Sequence, residues 1–81
     1  MKLHYSDRFK KSYKDTSERV RKDFKKQGTY LLKDLRRPSL HSKKYDEEQG
    51  VWQARVNRDW RFYFAIDGDT YWLIDIMAHR K

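Results

Sequence analysis

The sequence predicts an α+β domain in which two N-terminal helices pack on one face of a mostly antiparallel sheet of four to five strands. The order is strand, helix, helix, then four strands. Three observations carry this reading. Capped apolar stripes at helical spacing are confined to the first half of the chain. The run from Trp52 to Ile66 alternates with a period of two. Asp67-Gly-Asp-Thr70 then turns the chain into another apolar strand.

Taken in order, Lys2 to Tyr5 reads as a short strand, and Ser6 caps a short helix whose first turn carries Asp7, where a negative charge suits the helix dipole. Phe9 and Tyr13 lie one turn apart and give that helix a narrow apolar stripe. Asp15, Thr16 and Ser17 supply a second cap. Val20, Phe24, Gln27, Leu31 and Leu35 follow at helical spacing, with Leu32 widening the stripe, so the second helix spans about Ser17 to Leu35. Gly28 weakens it by about 1 kcal/mol relative to alanine. Pro38 ends it by turning the preceding residue away from helical geometry. Ser42 to Tyr45 is a short strand carrying Lys43 and Lys44, and Asp46 to Gly50 is an acidic loop.

The hairpin is the most informative segment. Strand alternation puts Trp52, Ala54, Val56, Trp60, Phe62, Phe64 and Ile66 on one face, and Gln53, Arg55, Arg61 and Tyr63 on the other. A three-residue loop of Asn57, Arg58 and Asp59 pairs Val56 with Trp60, Ala54 with Phe62 and Trp52 with Phe64, which keeps the apolar face continuous. The same register sets Arg55 directly opposite Arg61. Like charges in that position destabilise a hairpin, so an acidic neighbour or an anionic partner should compensate them, unless both simply splay into water.

The last strand, Tyr71 to Ala78, is apolar on both faces, with Trp72, Ile74 and Ile76 on one and Tyr71, Leu73 and Met77 on the other, which places it centrally in the sheet. Its register has two solutions. A two-residue turn aligns Leu73 with Phe64; a three-residue loop aligns Trp72 with Phe64 and brings Asp75 opposite Arg61.

With 81 residues the chain is one domain, residues 1–81, and without cysteine it has neither disulfides nor thiolate metal sites. Thirteen aromatic residues (3 Trp, 6 Tyr and 4 Phe) must therefore carry much of the burial. A balance of 20 Lys and Arg against 12 Asp and Glu, formally +8, draws the molecule towards polyanions, chiefly nucleic acid, or towards an acidic protein. Nothing in the sequence resembles a signal peptide or a membrane span, so a cytoplasmic protein with no membrane association is expected.

From Pro38 onwards the sequence resembles the RelE/ParE superfamily of bacterial toxin-antitoxin toxins. The residues that carry the resemblance are Pro38-Ser-Leu40, Lys43-Lys44, and Gly50-Val-Trp-Gln-Ala-Arg-Val-Asn-Arg-Asp-Trp-Arg-Phe-Tyr-Phe64. Ile66-Asp-Gly-Asp-Thr70 and Met77-Ala-His79 continue it, and the order of elements extends it over nearly the whole chain. The Arg-Val-Asn-Arg-Asp-Trp-Arg run is its most specific part.

The resemblance implies a small basic toxin held inactive by a cognate antitoxin. RelE-like members cut messenger RNA on the ribosome, whereas ParE-like members inhibit gyrase without catalysis. A degenerate member acting only in an antitoxin complex on operator DNA is a third reading. The RNA-cutting reading implies a metal-free, cofactor-free site on the open sheet face, with Arg61 as phosphate clamp, His79 or Arg80 at the position near the end of the last strand, His79 being the acid or base candidate, and Arg55 beside them. Lys43, Lys44, Arg58, Tyr63, Arg80 and Lys81 are the further RNA-binding candidates. Lys43 and Lys44 alternate, so only one shares the arginine face, and Lys44 is favoured. Many relatives continue with an aromatic residue that stacks on a base. Here the sequence stops at Lys81; either Tyr63 or Trp60 substitutes, or the activity is weak or lost.

The chemistry fits those residue types. Cleavage without metal needs activation of a 2′-hydroxyl, charge stabilisation on the phosphoryl oxygens and protonation of the leaving 5′-oxygen. Histidine is the side chain whose ordinary pKa lies near neutrality, and arginine offers a planar, permanently charged fork. His4, in the first strand, and His41, in a loop, have weaker claims. The three histidines show no metal-ligand spacing, and the Asp46-Glu-Glu48 cluster reads as a solvated loop. Lys22, Lys25, Lys26 and Lys33 form the solvated face of the long helix, a surface that could also meet ribosomal RNA.

Overall fold

The computed structural model describes residues 1–79, so Arg80 and Lys81 lie outside the described residues. Strand β1 (Lys2–Tyr5) leads into helices α1 (Asp7–Lys14) and α2 (Glu18–Lys33). A 3-10 turn (Pro38–Leu40) is followed by β2 (Lys43–Asp46), β3 (Val51–Arg55), β4 (Trp60–Asp67) and β5 (Thr70–Ala78). Both helix starts follow their caps: the Ser6 hydroxyl accepts from the Phe9 amide at 3.0 Å and the Ser17 hydroxyl from the Val20 amide at 3.2 Å. The second helix stops two residues short of Leu35, because Asp34 turns extended (φ −161°) while its amide still donates to the Tyr30 carbonyl.

The five strands form one sheet in the order β1-β5-β4-β3-β2. Among the described residues only β1 runs parallel to its neighbour; the other three pairings are antiparallel. The final strand is therefore central. Helices α1 and α2 cover one face, where Phe9, Phe24 and Leu31 pack with Phe62, Phe64, Leu73 and Ile76. Phe24 meets Phe62 edge-on, with ring centroids 5.2 Å apart. Among the described residues the opposite sheet face carries no helix.

The β3–β4 register is the one expected, with Ala54 opposite Phe62, Trp52 opposite Phe64 and Arg55 opposite Arg61. Ile66 has the expected parity but, near the end of β4, is 40 % exposed. The β4–β5 connection resolves the open register in favour of the two-residue turn: Asp67 pairs with Thr70, and Phe64 with Leu73. Gly68 adopts a positive φ of 59° at the first central position, which primed hairpin turns need.

A β-bulge then inserts Ile74, so Tyr63 faces Asp75 and Arg61 faces Met77. Asp75 is thus not the counter-ion of Arg61. Its buried carboxylate instead accepts from Nε of Arg8 on α1 at 3.0 Å. The bulge also corrects the face assignment of β5. Simple alternation grouped Ile76 with Trp72; the extra residue flips the parity, and Ile76 is buried with Tyr71 and Leu73 while Trp72 is 41 % exposed.

Candidate functional site

On the open face a cavity of about 400 Å³ is lined by His41, Ser42, Lys43, Gln53, Arg55, Arg61 and His79. Four segments of the chain build it. The β3–β4 pairing sets Arg55 against Arg61 and Gln53 against Tyr63, and the Gln53 amide donates to the Tyr63 hydroxyl at 3.0 Å. Strand β2 adds Lys43 opposite Gln53. The amide of His79 donates to the Asp59 carbonyl at 2.7 Å, which clips the end of β5 to the β3–β4 loop and sets its side chain at the rim.

The fourth segment is positioned from the far side of the sheet. Gln27, buried in α2, donates through Nε2 to the carbonyls of Ser39 and Arg55, each at 2.9 Å, and its Oε1 accepts from the Ser39 hydroxyl at 3.3 Å. One side chain thereby ties the 3-10 turn to the end of β3. The turn closes on His41, whose φ of 47° lies in the left-handed region that only a minority of non-glycine residues adopt. That backbone directs the chain into β2 with His41 and Ser42 lining the cavity. The Ser42 hydroxyl is buried without a hydrogen-bond partner among the described residues.

The electrostatics are one-sided. Arg61 is only 8 % exposed, yet among the described residues neither it nor Arg55 has a carboxylate within 4.0 Å. Its compensation comes from backbone dipoles. The two hydrogens on Nη1 are shared among the carbonyls of Asn57 at 2.8 Å, Trp60 at 3.0 Å and Arg58 at 3.1 Å. Burial, and then the neighbouring Arg55, hold the Arg61 guanidinium below the ordinary arginine pKa. Arg61 therefore both pins the hairpin loop and leaves the cavity short of negative charge.

The expected site residues divide clearly. Arg55, Arg61 and His79 converge on the cavity, as does Lys43. Lys44 does not, a correction to the lysine preference: it pairs with Trp52 on the helix side, its Nζ 6.0 Å from that ring. Arg58 stays outside as well, exposed on the hairpin loop with Asp59 at 3.9 Å. Tyr63 does not line the cavity but accepts from the lining Gln53 through its hydroxyl, and it meets Tyr45 edge-on at 5.0 Å. Trp60 is partly buried and packs against the core. The candidates Arg80 and Lys81 fall outside the described residues. His41, which has the weaker claim in the sequence, also lines the cavity. Its one sequence-level signal is its place straight after Pro38-Ser-Leu40, where the chain needs a left-handed residue.

This architecture matches the folds of solved toxins of the YoeB/ParE and RelE type. A YoeB/ParE toxin from Agrobacterium tumefaciens superposes with a TM-score of 0.81 at 16 % identity, covering 99 % of this chain and 100 % of that one. YafQ from E. coli strain BL21(DE3) gives 0.77 at 20 % identity, covering 95 % of this chain and 91 % of its own. The RelB-RelE antitoxin-toxin complex from Methanococcus jannaschii gives 0.76 at 20 % identity, with 91 % and 87 % covered. No family model and no curated protein matches the sequence.

Proposed function

We propose that the chain is the toxin of a type II toxin-antitoxin pair and that it cuts messenger RNA in the ribosome. The observation that carries this is the cavity itself: two arginines face each other without a carboxylate, flanked by a lysine and two histidines. Such a site is poised for a phosphodiester. Arg55, Arg61 and Lys43 would hold the non-bridging oxygens as charge builds on them. One histidine takes the proton of the 2′-hydroxyl as its oxygen attacks phosphorus. The bond from phosphorus to the 5′-oxygen breaks, and the other histidine protonates that oxygen. The products are a 2′,3′-cyclic phosphate and a free 5′-hydroxyl. His79 and His41 are the candidates for the two roles, and each proton transfer contributes about 10²–10⁴-fold. Acting on ribosome-bound message implies a cytoplasmic location, and among the described residues no helix is long and apolar enough to cross a membrane.

The partner is a cognate antitoxin. Several of the similar structures are toxin-antitoxin complexes. A groove of about 560 Å³ between β1, α1 and α2, lined by Leu3, Phe9 and Leu32 and edged by Lys10, Lys14 and Lys25, suits an acidic amphipathic segment.

Induced expression should arrest growth and block protein synthesis in a purified translation system, with gyrase supercoiling unaffected. Arg55→Ala combined with His79→Ala should relieve both effects. Arrest with normal translation and lost supercoiling would replace this reading by gyrase inhibition. A harmless wild-type chain would leave only a role within an antitoxin complex on operator DNA.

A further inference from the structure

Beyond the cavity the open face carries a second feature that the catalytic reading does not use. Strand alternation places Arg61, Tyr63 and Ala65 on the same side of β4. The registers carry that side across the sheet, pairing Ala65 with Trp72 and Trp72 with His4. The His4 and Trp72 rings lie 4.1 Å apart with a tilt of 52°, and Trp72 remains 41 % exposed. Nearer the cavity, Tyr63 and the 60 % exposed Tyr45 form another aromatic pair. Ala65, with the smallest side chain of the row, separates the two. Strand rise and spacing put Trp72 about 8 Å from Tyr63, diagonally across the sheet.

We propose that the Trp72–His4 pair is a base-stacking platform for single-stranded RNA, extending the phosphate-binding cavity into a track across the sheet. The inference rests on the RNA reading of the cavity and adds to it the direction in which the strand leaves. An exposed indole braced on one side by an imidazole offers a nucleobase its free π surface. The occupant follows from charge complementarity: the aromatic row continues from a cavity of unpaired cations. Its far end is set by Asp67 and Asp69 in the β4–β5 turn, which repel phosphate. There Lys2 reaches Asp69 only at 4.0 Å, with both side chains exposed, so this cation can turn to a backbone phosphate.

The test is fluorescence anisotropy with a labelled 2′-O-methyl hexauridylate, which cannot be cut through its 2′-oxygen. Trp72→Ala should weaken binding about 5- to 100-fold, with Trp72→Phe restoring most of it. The salt dependence should be unchanged, because no phosphate contact is lost. A dinucleotide, filling only the cavity, should bind wild type and Trp72→Ala equally. If Arg55→Ala weakens the hexanucleotide and Trp72→Ala does not, the platform is refuted while the cavity reading stands. If the wild type binds no RNA, both fall. If Trp72→Ala alters the sedimentation of the protein but not its RNA binding, the indole covers a second copy of the chain and the proposal is overturned.

Discussion

Replacing Arg55 by glutamine should make the protein more stable and a weaker ligand for RNA at the same time. Arg55 lies directly opposite Arg61, and among the described residues neither has a carboxylate within 4.0 Å. A like-charged pair at directly opposed positions costs about 0.2–1 kcal/mol. For a domain of this size 1 kcal/mol corresponds to about 4–8 °C, so Arg55→Gln should raise the melting temperature by about 1–8 °C at low salt. The gain should shrink towards 1 M salt, where the screening length falls to about 3 Å. In binding titrations with hexauridylate, losing one phosphate contact should flatten the plot of log affinity against log salt by about 0.7. Opposite signs in the two assays are what a residue kept for an anionic ligand gives. A lower melting temperature, or an unchanged salt slope, would refute the reasoning.

Gln27→Leu removes the hydrogen bonds that join α2, the 3-10 turn and β3 and leaves two carbonyls unpaired, so urea denaturation should show a loss of about 2–4 kcal/mol. A loss below about 0.5 kcal/mol would mean that water replaces the amide. Gly28→Ala should stabilise by about 0.5–1 kcal/mol, since the added methyl would meet Leu3 Cδ1 at 3.5 Å and Phe24 Cζ at 3.7 Å, ordinary contacts that need no repacking. Burial raises the Tyr13 pKa above its ordinary 10.0, so the fold holds that proton more tightly than the unfolded chain does. The associated stability is fully present below about pH 10 and is lost as pH rises through the folded value, and Tyr13→Phe should flatten the alkaline limb of a denaturation-versus-pH curve.

Much of the architecture was legible because local signals and tertiary demands agree. Ser6 and Ser17 cap the helices they announce, and the alternation from Trp52 to Phe64 admits only one register that keeps the aromatic face whole. Sequence failed where geometry depends on a single inserted residue. Nothing in Leu73-Ile-Asp-Ile76 marks Ile74 as a bulge, yet it reverses the parity of the strand and sets Asp75 opposite Tyr63, with its carboxylate on Arg8. The lysine preference failed similarly, since alternation fixes that Lys43 and Lys44 differ but pairing across to Gln53 decides which one shares the arginine face. His41 was obscured because a loop residue's destination is set by distant anchors, here Gln27 from the middle of α2.

Primer extension on a messenger RNA, with ribosomes and the purified chain, tests the central claim most directly. Discrete cuts that need both ribosome and protein are expected, reduced at least about 100-fold by His79→Ala or His41→Ala. Message left intact by the wild-type chain on actively translating ribosomes would contradict it.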